Sequence, residues 1–175
     1  MDFDLDKAIR KIKDFPKDGI LFYDITSIFT NPLAFEAVIN EAFTIYKDQD
    51  IDMLIAVESR GFLFASTLAY KMKKPLVLAR KSGKLPGKTI KEEYKLEYGE
   101  ASLEIHVDDM PSKKRVLIID DLIATGGTLK AIATMIEKLD SEVVGVFGVI
   151  GLPFLNYSKK LDGYKVTTLI NYDSE

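Results

Sequence analysis

The sequence predicts a doubly wound α/β protein, a mainly parallel sheet flanked by helices. Apolar runs too short for helices recur along the chain at residues 53–57, 116–119 and 143–150. A strand that is apolar on both faces suits a parallel sheet covered on both sides. The stretches between these runs carry helical spacing. Their connections are short and polar, which implies right-handed crossovers joining neighbouring strands.

Taken in order, Leu5, Ala8, Ile9 and Ile12 predict a short amphipathic helix before Phe15-Pro16. Residues 16–30 hold Pro16, Gly19 and the apolar Ile20-Leu21-Phe22, and read as a loop with some extended structure. Asn31-Pro32 predicts an N-cap followed by proline at the first helical position. Phe35, Val38, Ile39, Ala42, Phe43 and Tyr46 then form the inner face of a helix ending near Asp48. The polar turn Glu58-Ser59-Arg60-Gly61 follows the 53–57 strand and leads into a helix from Phe62 to about Met72. Pro75 precedes a strand over 76–79, and a helix from Gly126 to Leu139 follows the 116–119 strand. Strands over 143–150 and 166–170 complete the series.

Residues 80–93, RKSGKLPGKTIKEE, break this rhythm. A long, charged, glycine-containing stretch inside a compact domain reads as a functional lid or as disorder. Alternation at Tyr94, Leu96 and Tyr98, then at Leu103, Ile105 and Val107, predicts two antiparallel strands after it. No repeat or shift in composition divides the chain, so one domain over residues 1–175 is expected.

Composition narrows the function. The net charge of −3 gives no global field to gather polyanions, so nucleic acid is not an expected partner. Cysteine is absent, which removes disulfides, thiolate catalysis and cysteine-based zinc sites together. The opening MDFDLDKAIRKIKDF alternates charged and apolar residues and reads neither as a signal peptide nor as a membrane anchor. No apolar run approaches the roughly 20 residues of a membrane-spanning helix. A cytoplasmic location is expected.

The chemistry concentrates at two turns. In the first, the buried run at 116–119 ends in Asp120 and Asp121, and Ala124-Thr125-Gly126-Gly127-Thr128 then opens a helix. Ligands of open α/β sheets sit at the carboxyl ends of the strands. Glycines let the backbone approach an anion, the helix start offers unpaired N–H groups, and Thr125 and Thr128 add hydroxyls. This turn suits a phosphate monoester. The two aspartates would repel that phosphate directly, and make better sense as acceptors for the vicinal hydroxyls of an adjoining ribose. The alternative is an ordinary βα turn with a carboxylate cap. In the second turn, Glu58 to Gly61, backbone amides and the Arg60 guanidinium could hold a further anion such as pyrophosphate; a solvated charged turn is the competing explanation.

Gly87-Lys88-Thr89 imitates the end of a G-x-x-x-x-G-K-[ST] loop, but Ser82 stands where the first glycine belongs and a strand follows rather than a helix. His106, the sole histidine, sits between Ile105 and Val107 with no ligand partner, as a solvent-facing strand residue would. Phe22 and Tyr23 could stack on a base, although aromatics beside an apolar run are more often core.

The block from Val116 to Thr128 resembles the PRPP-binding signature of type I phosphoribosyltransferases. Phe15-Pro16 with Gly19-Ile20-Leu21-Phe22, Glu58-Ser59-Arg60-Gly61-Phe62, Arg80-Lys81 with Gly83-Lys84-Leu85-Pro86, and Leu96-Glu97-Tyr98-Gly99 narrow the resemblance to the adenine phosphoribosyltransferases. The motifs keep order and spacing over nearly the whole chain. The resemblance implies a type I phosphoribosyltransferase-like sheet with a small N-terminal hood and a flexible loop from Lys81 to Tyr94 that closes over the reacting centre. It implies transfer of the phosphoribosyl group of phosphoribosyl pyrophosphate (PRPP) to adenine, giving AMP and pyrophosphate in purine salvage. Ala124 to Thr128 would cradle the 5′-phosphate, with Asp120 and Asp121 at the ribose. Glu58, Ser59, Arg60 and Gly61 would form the pyrophosphate loop, with Arg60 near the base or pyrophosphate. Glu97 would hydrogen-bond the purine N7 and assist the proton movement at N9. Leu21, Phe22 and Tyr23 would frame the adenine, and Arg80, Lys81, Lys84 and Tyr98 would add substrate contacts. Mg²⁺ would arrive on PRPP rather than in a protein-built site, and the molecule would be a homodimer.

Three residues depart from the family pattern: Tyr23 replaces a usual arginine, Ser82 a frequent proline and Gly87 a frequent arginine. The competing expectation is a nucleic-acid-binding regulator of the same fold that senses PRPP. The acidic charge, the lack of an added DNA-binding domain and the retained loop with Glu97 favour the enzyme.

Overall fold

A computed structural model of the chain describes residues 3–96 and 99–174. Nine strands, β1 to β9, form two sheets among these residues. The large sheet has seven strands in the order β5-β6-β4-β3-β7-β8-β9, and β1 pairs with β2 separately. The centre of the large sheet is parallel. β3 (Met53–Val57) pairs with β4 (Leu76–Lys81) on one side and with β7 (Arg115–Ile123) on the other. β7 then pairs in parallel with β8 (Glu142–Gly151), and β8 with β9 (Val166–Asn171). An antiparallel hairpin, β5 (Thr89–Leu96) and β6 (Gly99–His106), extends the sheet beyond β4.

Helices cover both faces because the inner strands have no polar face. All five residues of β3 are buried. Leu54, Ala56, Leu117 and Ile119 join the core beneath α3 (Pro32–Tyr46) and α4 (Gly61–Met72), whereas Ile55, Val57, Val116 and Ile118 join the core with α5 (Gly127–Lys138). α3 begins as the sequence predicts: Asn31 caps it by accepting from the Ala34 amide, and Pro32 occupies the first turn. Among the described residues, no helix is long and apolar enough to cross a membrane.

The N-terminal segment departs from expectation. The expected helix through Ile12 stops after one turn, α1 (Leu5–Ala8), and the chain straightens into β1 (Arg10–Lys13). Pairing of β1 with β2 (Leu21–Asp24) satisfies backbone groups that an isolated short helix would leave to water. Ile12 lies in that strand at 36% exposure, outside the core. The stretch expected as a loop thus contains β2 and a second short helix, α2 (Thr26–Phe29).

The charged stretch over 80–93 is also more ordered than its composition suggests. Arg80 and Lys81 finish β4, a turn follows, and β5 begins at Thr89. Ile90 and Tyr94 pack on the α5 side of the core, and Glu92 between them pairs with Lys138 at 2.6 Å. Lys91 and Glu93 project outward and pair with each other at 3.3 Å. The strand expected after Thr89 is thus present, with an acid at the inward position 92. Gly83 and Gly87 take positive φ in the turn, and Gly87 leads to a strand, which removes any nucleotide-hydrolase loop.

Substituting Asn31→Ala removes the cap of α3 and should cost about 1 kcal/mol. Urea unfolding would report a lower midpoint with an unchanged slope; an unchanged midpoint would show that the cap contributes nothing.

Candidate active site

The order of the central strands sets the site. From β3 the chain crosses to β4 on one side, while from β7 it runs to β8 and β9 on the other. The sheet therefore reverses direction between β3 and β7, and the crevice at such a switch point is where open α/β sheets bind ligands. The turns after β3 and β7 are the two that the sequence singles out.

β7 extends further than predicted. It runs through Asp120 and Asp121 to Ile123, paired with β8, so the aspartates lie within the strand rather than beyond its end. They are only 8% and 5% exposed. Asp120 Oδ1 accepts the Asp121 amide at 2.8 Å. Arg60 reaches across from the start of α4, its Nε 2.8 Å from Asp121 Oδ2. Its N–H is not aligned for a hydrogen bond, so that buried oxygen retains its hydrogen-bonding capacity. Burial pushes the Asp120 carboxyl well above its usual range, and the Asp121 charge beside it adds to the effect. Gly61 makes this proximity possible: a Cβ there would meet Asp120 Oδ1 at 3.1 Å and the Ile119 carbonyl at 3.2 Å.

The turn over 124–128 opens a helix as the sequence predicts. Gly126 holds φ at +77° before α5, with no side chain capping the helix start. A Cβ at Gly126 would lie 3.2 Å from Leu161 and Tyr157, so α6 (Tyr157–Lys160) backs the turn closely. Thr125 and Thr128 flank it half-buried. The first amides of α5 thus remain available to an anion.

Around the second turn, Glu58 is engaged within the protein. Arg80 Nε lies 3.3 Å from Glu58 Oε2, which also accepts the Lys81 amide at 2.8 Å. Burial pushes the Glu58 carboxyl up, but the Lys81 amide and Arg80 outweigh it and leave the group below its usual range. The Glu58–Ser59 peptide is cis. Lys84 stands in the next turn with an exposed side chain, while its amide and that of Leu85 donate to Glu104 at 2.9 Å.

The hood brings Leu21 and Phe22 into the structure half-buried, with Phe22 edge-on to Phe15. Tyr23 differs from expectation. Its ring is stacked on Tyr172 and its hydroxyl donates to the Ser174 carbonyl, so the side chain is held by the C-terminal end and not presented to a base. Asp24 closes the hood strand. Thr26 donates to it through its hydroxyl at 2.6 Å, and Arg10 lies 3.1 Å away. The Thr26 hydroxyl above all, with smaller help from Arg10 and Arg60, holds this carboxyl low, which places the end of β2 within the field of Arg60. Glu97 and Tyr98 lie outside the described residues.

Residues 24–170 match the phosphoribosyl transferase domain model. The adenine phosphoribosyltransferase of Treponema denticola is 54% identical over 171 residues, 98% of this chain and 90% of that protein. The chain belongs to the adenine phosphoribosyltransferase family. Among solved structures, the Thermoanaerobacter pseudethanolicus adenine phosphoribosyltransferase superposes with a TM-score of 0.92 at 44% identity, covering 96% of this chain and 98% of that one. The Saccharomyces cerevisiae adenine phosphoribosyltransferase, solved with adenine and an imino-altritol bisphosphate, gives 0.88 at 38% identity, covering 94% and 96%. The seven-stranded sheet with flanking helices is the type I phosphoribosyltransferase fold.

Several residues of this family member were not singled out from sequence. Glu104 is one, a buried acid that receives two amides of the turn below the hairpin. In sequence it is one polar position between Leu103 and Ile105, indistinguishable from a solvent-facing residue. Arg10 and Tyr172 are similar: each lies far along the chain from its partner, and no local pattern links them.

Asp120 titrates above its unfolded value near 3.8, so folding takes up a proton between that value and the raised one. Stability from this group is complete at lower pH and is lost as pH rises through the raised value. Asp120→Asn keeps the oxygen that accepts the Asp121 amide but carries no charge. Ligand-free Asp120→Asn should therefore melt higher than the parent at neutral pH, with the difference closing as pH falls towards 3.8. A constant difference across pH, measured by thermal melts, would refute the burial argument.

Proposed function

We propose that the chain transfers the 5-phosphoribosyl group of PRPP to adenine, forming AMP and pyrophosphate in purine salvage. The observation that carries this reading is the meeting of an uncapped glycine turn, a buried aspartate pair and an arginine-bearing second turn at one switch point. This meeting occurs in a chain 54% identical to an adenine phosphoribosyltransferase. The comparisons lend no support to a nucleic-acid-binding regulator.

The residues divide the work. Ala124 to Thr128 hold the 5′-phosphate through the amides at the start of α5. Asp120 and Asp121 accept the ribose hydroxyls once the ligand displaces Arg60 from Asp121. The Glu58 to Gly61 turn receives the pyrophosphate, with Arg80, Lys81 and Lys84 as further cations at its rim. As the C1′–O bond to pyrophosphate breaks, positive charge grows on the ribose and favours nearby carboxylates, while Arg60 and backbone amides stabilise the leaving group. The new bond joins C1′ to N9 of adenine, whose proton leaves with help from Glu97 at N7. Leu21 and Phe22 frame the base, Tyr23 serves through its backbone, and Tyr98 adds a contact. Closure of the loop from Lys81 to Tyr94, through its 82–88 turn, excludes water from the sugar cation.

Mg²⁺ belongs to this reading as a companion of PRPP. Among the described residues no three His, Cys, Asp or Glu side chains group into a cage, but Asp121 Oδ2 is a buried carboxylate oxygen without a hydrogen bond. Such a sparse donor set fits an ion that keeps water and substrate phosphate ligands. Asp120 and Asp121 would face it, and it would neutralise charge on the departing pyrophosphate.

The chain is taken to work as a single domain and as a homodimer in the cytoplasm. Exposed Leu33, Leu63 and Tyr70, the last 87% exposed, give the α3–α4 face an apolar surface suited to a second copy. The absence of cysteine agrees with a reducing compartment.

Incubating the protein with PRPP, Mg²⁺ and adenine, hypoxanthine or guanine in parallel should give AMP from adenine, with the other bases slower by roughly 100-fold or more. Turnover only of hypoxanthine or guanine would refute the adenine assignment, and binding of PRPP without turnover of any base would restore the regulator. In the same assay Glu97→Ala should lower turnover by roughly 10²–10⁴ if the residue moves the purine proton. Near-normal turnover would remove Glu97 from the mechanism.

A further inference from the structure

The hood is braced at one point by the other end of the chain. β1 and β2 form a two-stranded sheet of their own, and all four residues of β1 are exposed. A hairpin of two strands is marginal in water without packing on something else. Its β2 strand carries Phe22 and Tyr23 on opposite faces, as neighbours in a strand must. On the Tyr23 side, the ring lies parallel to Tyr172 with centroids 3.7 Å apart and planes 12° from each other.

Tyr172 is itself held from several directions. Its amide donates to the Gly151 carbonyl at 3.0 Å, which fixes it to the carboxyl end of β8. Its hydroxyl donates to Asp6 Oδ1 at 2.8 Å. Lys11 sits 5.5 Å from the ring centroid and pairs with Asp6 at 2.7 Å. Tyr172 therefore links the sheet edge that carries the site to α1, β1 and β2 together. The same buried cluster holds Tyr23 and Ile25, with Leu122 of β7 and Ala124 of the following turn packed against it.

We propose that Tyr172 is a positioning residue for base binding: its ring, stacked on Tyr23, sets the angle of β2 and so the placement of Phe22 against the purine. This rests on the reading of Leu21 and Phe22 as the base frame. The brace acts on the base rather than on the phosphoribosyl half, because the ring and hydroxyl of Tyr172 engage Tyr23, Asp6 and Lys11, all in the hood.

Steady-state kinetics of Tyr172→Leu and Tyr172→Phe test it. Leucine keeps apolar bulk but cannot stack, and should raise the adenine KM roughly 3- to 10-fold. The PRPP KM should stay within about twofold of the parent, since the lost interaction serves only one substrate. Phenylalanine keeps the stack and loses only the Asp6 hydrogen bond, so it should restore the adenine KM. Tyr23→Leu should reproduce Tyr172→Leu, and the double variant should be no worse than either. An unchanged adenine KM in Tyr172→Leu, a parallel rise in both KM values, or a Tyr172→Phe as impaired as leucine would each overturn the proposal. Phe22→Ala separates this from failure of the underlying reading. If Phe22→Ala leaves the adenine KM unchanged, the base frame itself is wrong. If it raises that KM while Tyr172→Leu does not, only the brace is wrong.

Discussion

Met53 to Ala56 of β3 lie in parallel register with Val116 to Ile119 of β7, and everything chemical in the molecule follows from that pairing. The chain goes on from the two strands to opposite sides of the sheet, to β4 from β3 and to β8 from β7, while α4 packs against both. β3 ends at Val57 while β7 runs on through Asp120 and Asp121, so the turn after β3 lies beside the aspartate pair. The turn that carries Arg60 is thereby pressed on the aspartate pair, with room for the contact only because residue 61 has no side chain. A shift of one residue would exchange the faces of β7 and place Leu117 and Ile119 where Val116 and Ile118 now meet α5.

The candidate site is internally paired in charge. Asp121 faces Arg60, Glu58 faces Arg80, and Asp120 is pushed towards its neutral form by burial and by its neighbour's charge. Each ion pair holds a side chain that the proposed chemistry needs elsewhere. Bringing in a polyanion with its counter-ion would exchange these internal pairs for ligand contacts, so a chain with net charge −3 can still bind PRPP. In the proposed mechanism Arg60 would leave Asp121 to act as a cation for the leaving group.

Around this centre the protein adds two peripheral pieces by different means. The β5–β6 hairpin is attached by Ile90 and Tyr94 on the α5 side, by the Glu92–Lys138 pair, and by Glu104 gripping the turn beneath it. The hood rests on the core through Ile25 and Ile28 and is tied to the C-terminal end through Tyr23 and Tyr172. The stack gives Tyr23 a structural role in tying the hood to the C-terminal end.

The sequence by itself determined the central sheet, its flanking helices and the two anion-suited turns. Each depends on neighbours within a few residues: runs such as 53–57 are apolar throughout, Asn31-Pro32 caps locally, and Gly126-Gly127 permits the turn wherever it occurs. Tertiary structure alone decided the rest. Residues 10–13 become a strand because β2 pairs with them, although Leu5 and Ile9 of the helical spacing do reach the core and only Ile12 is left outside it. Strand character near Tyr94 was legible from alternation, but that β5 begins at Thr89 and lies with Glu92 against Lys138 of α5 depends on its pairing with β6 and its packing on the core. Tyr23 turns from a candidate base contact into half of a stack with a residue near the other end of the chain, and Glu104 from a surface acid into a buried anchor. These roles rest on pairings between distant segments, and local composition carries no record of which distant groups will meet.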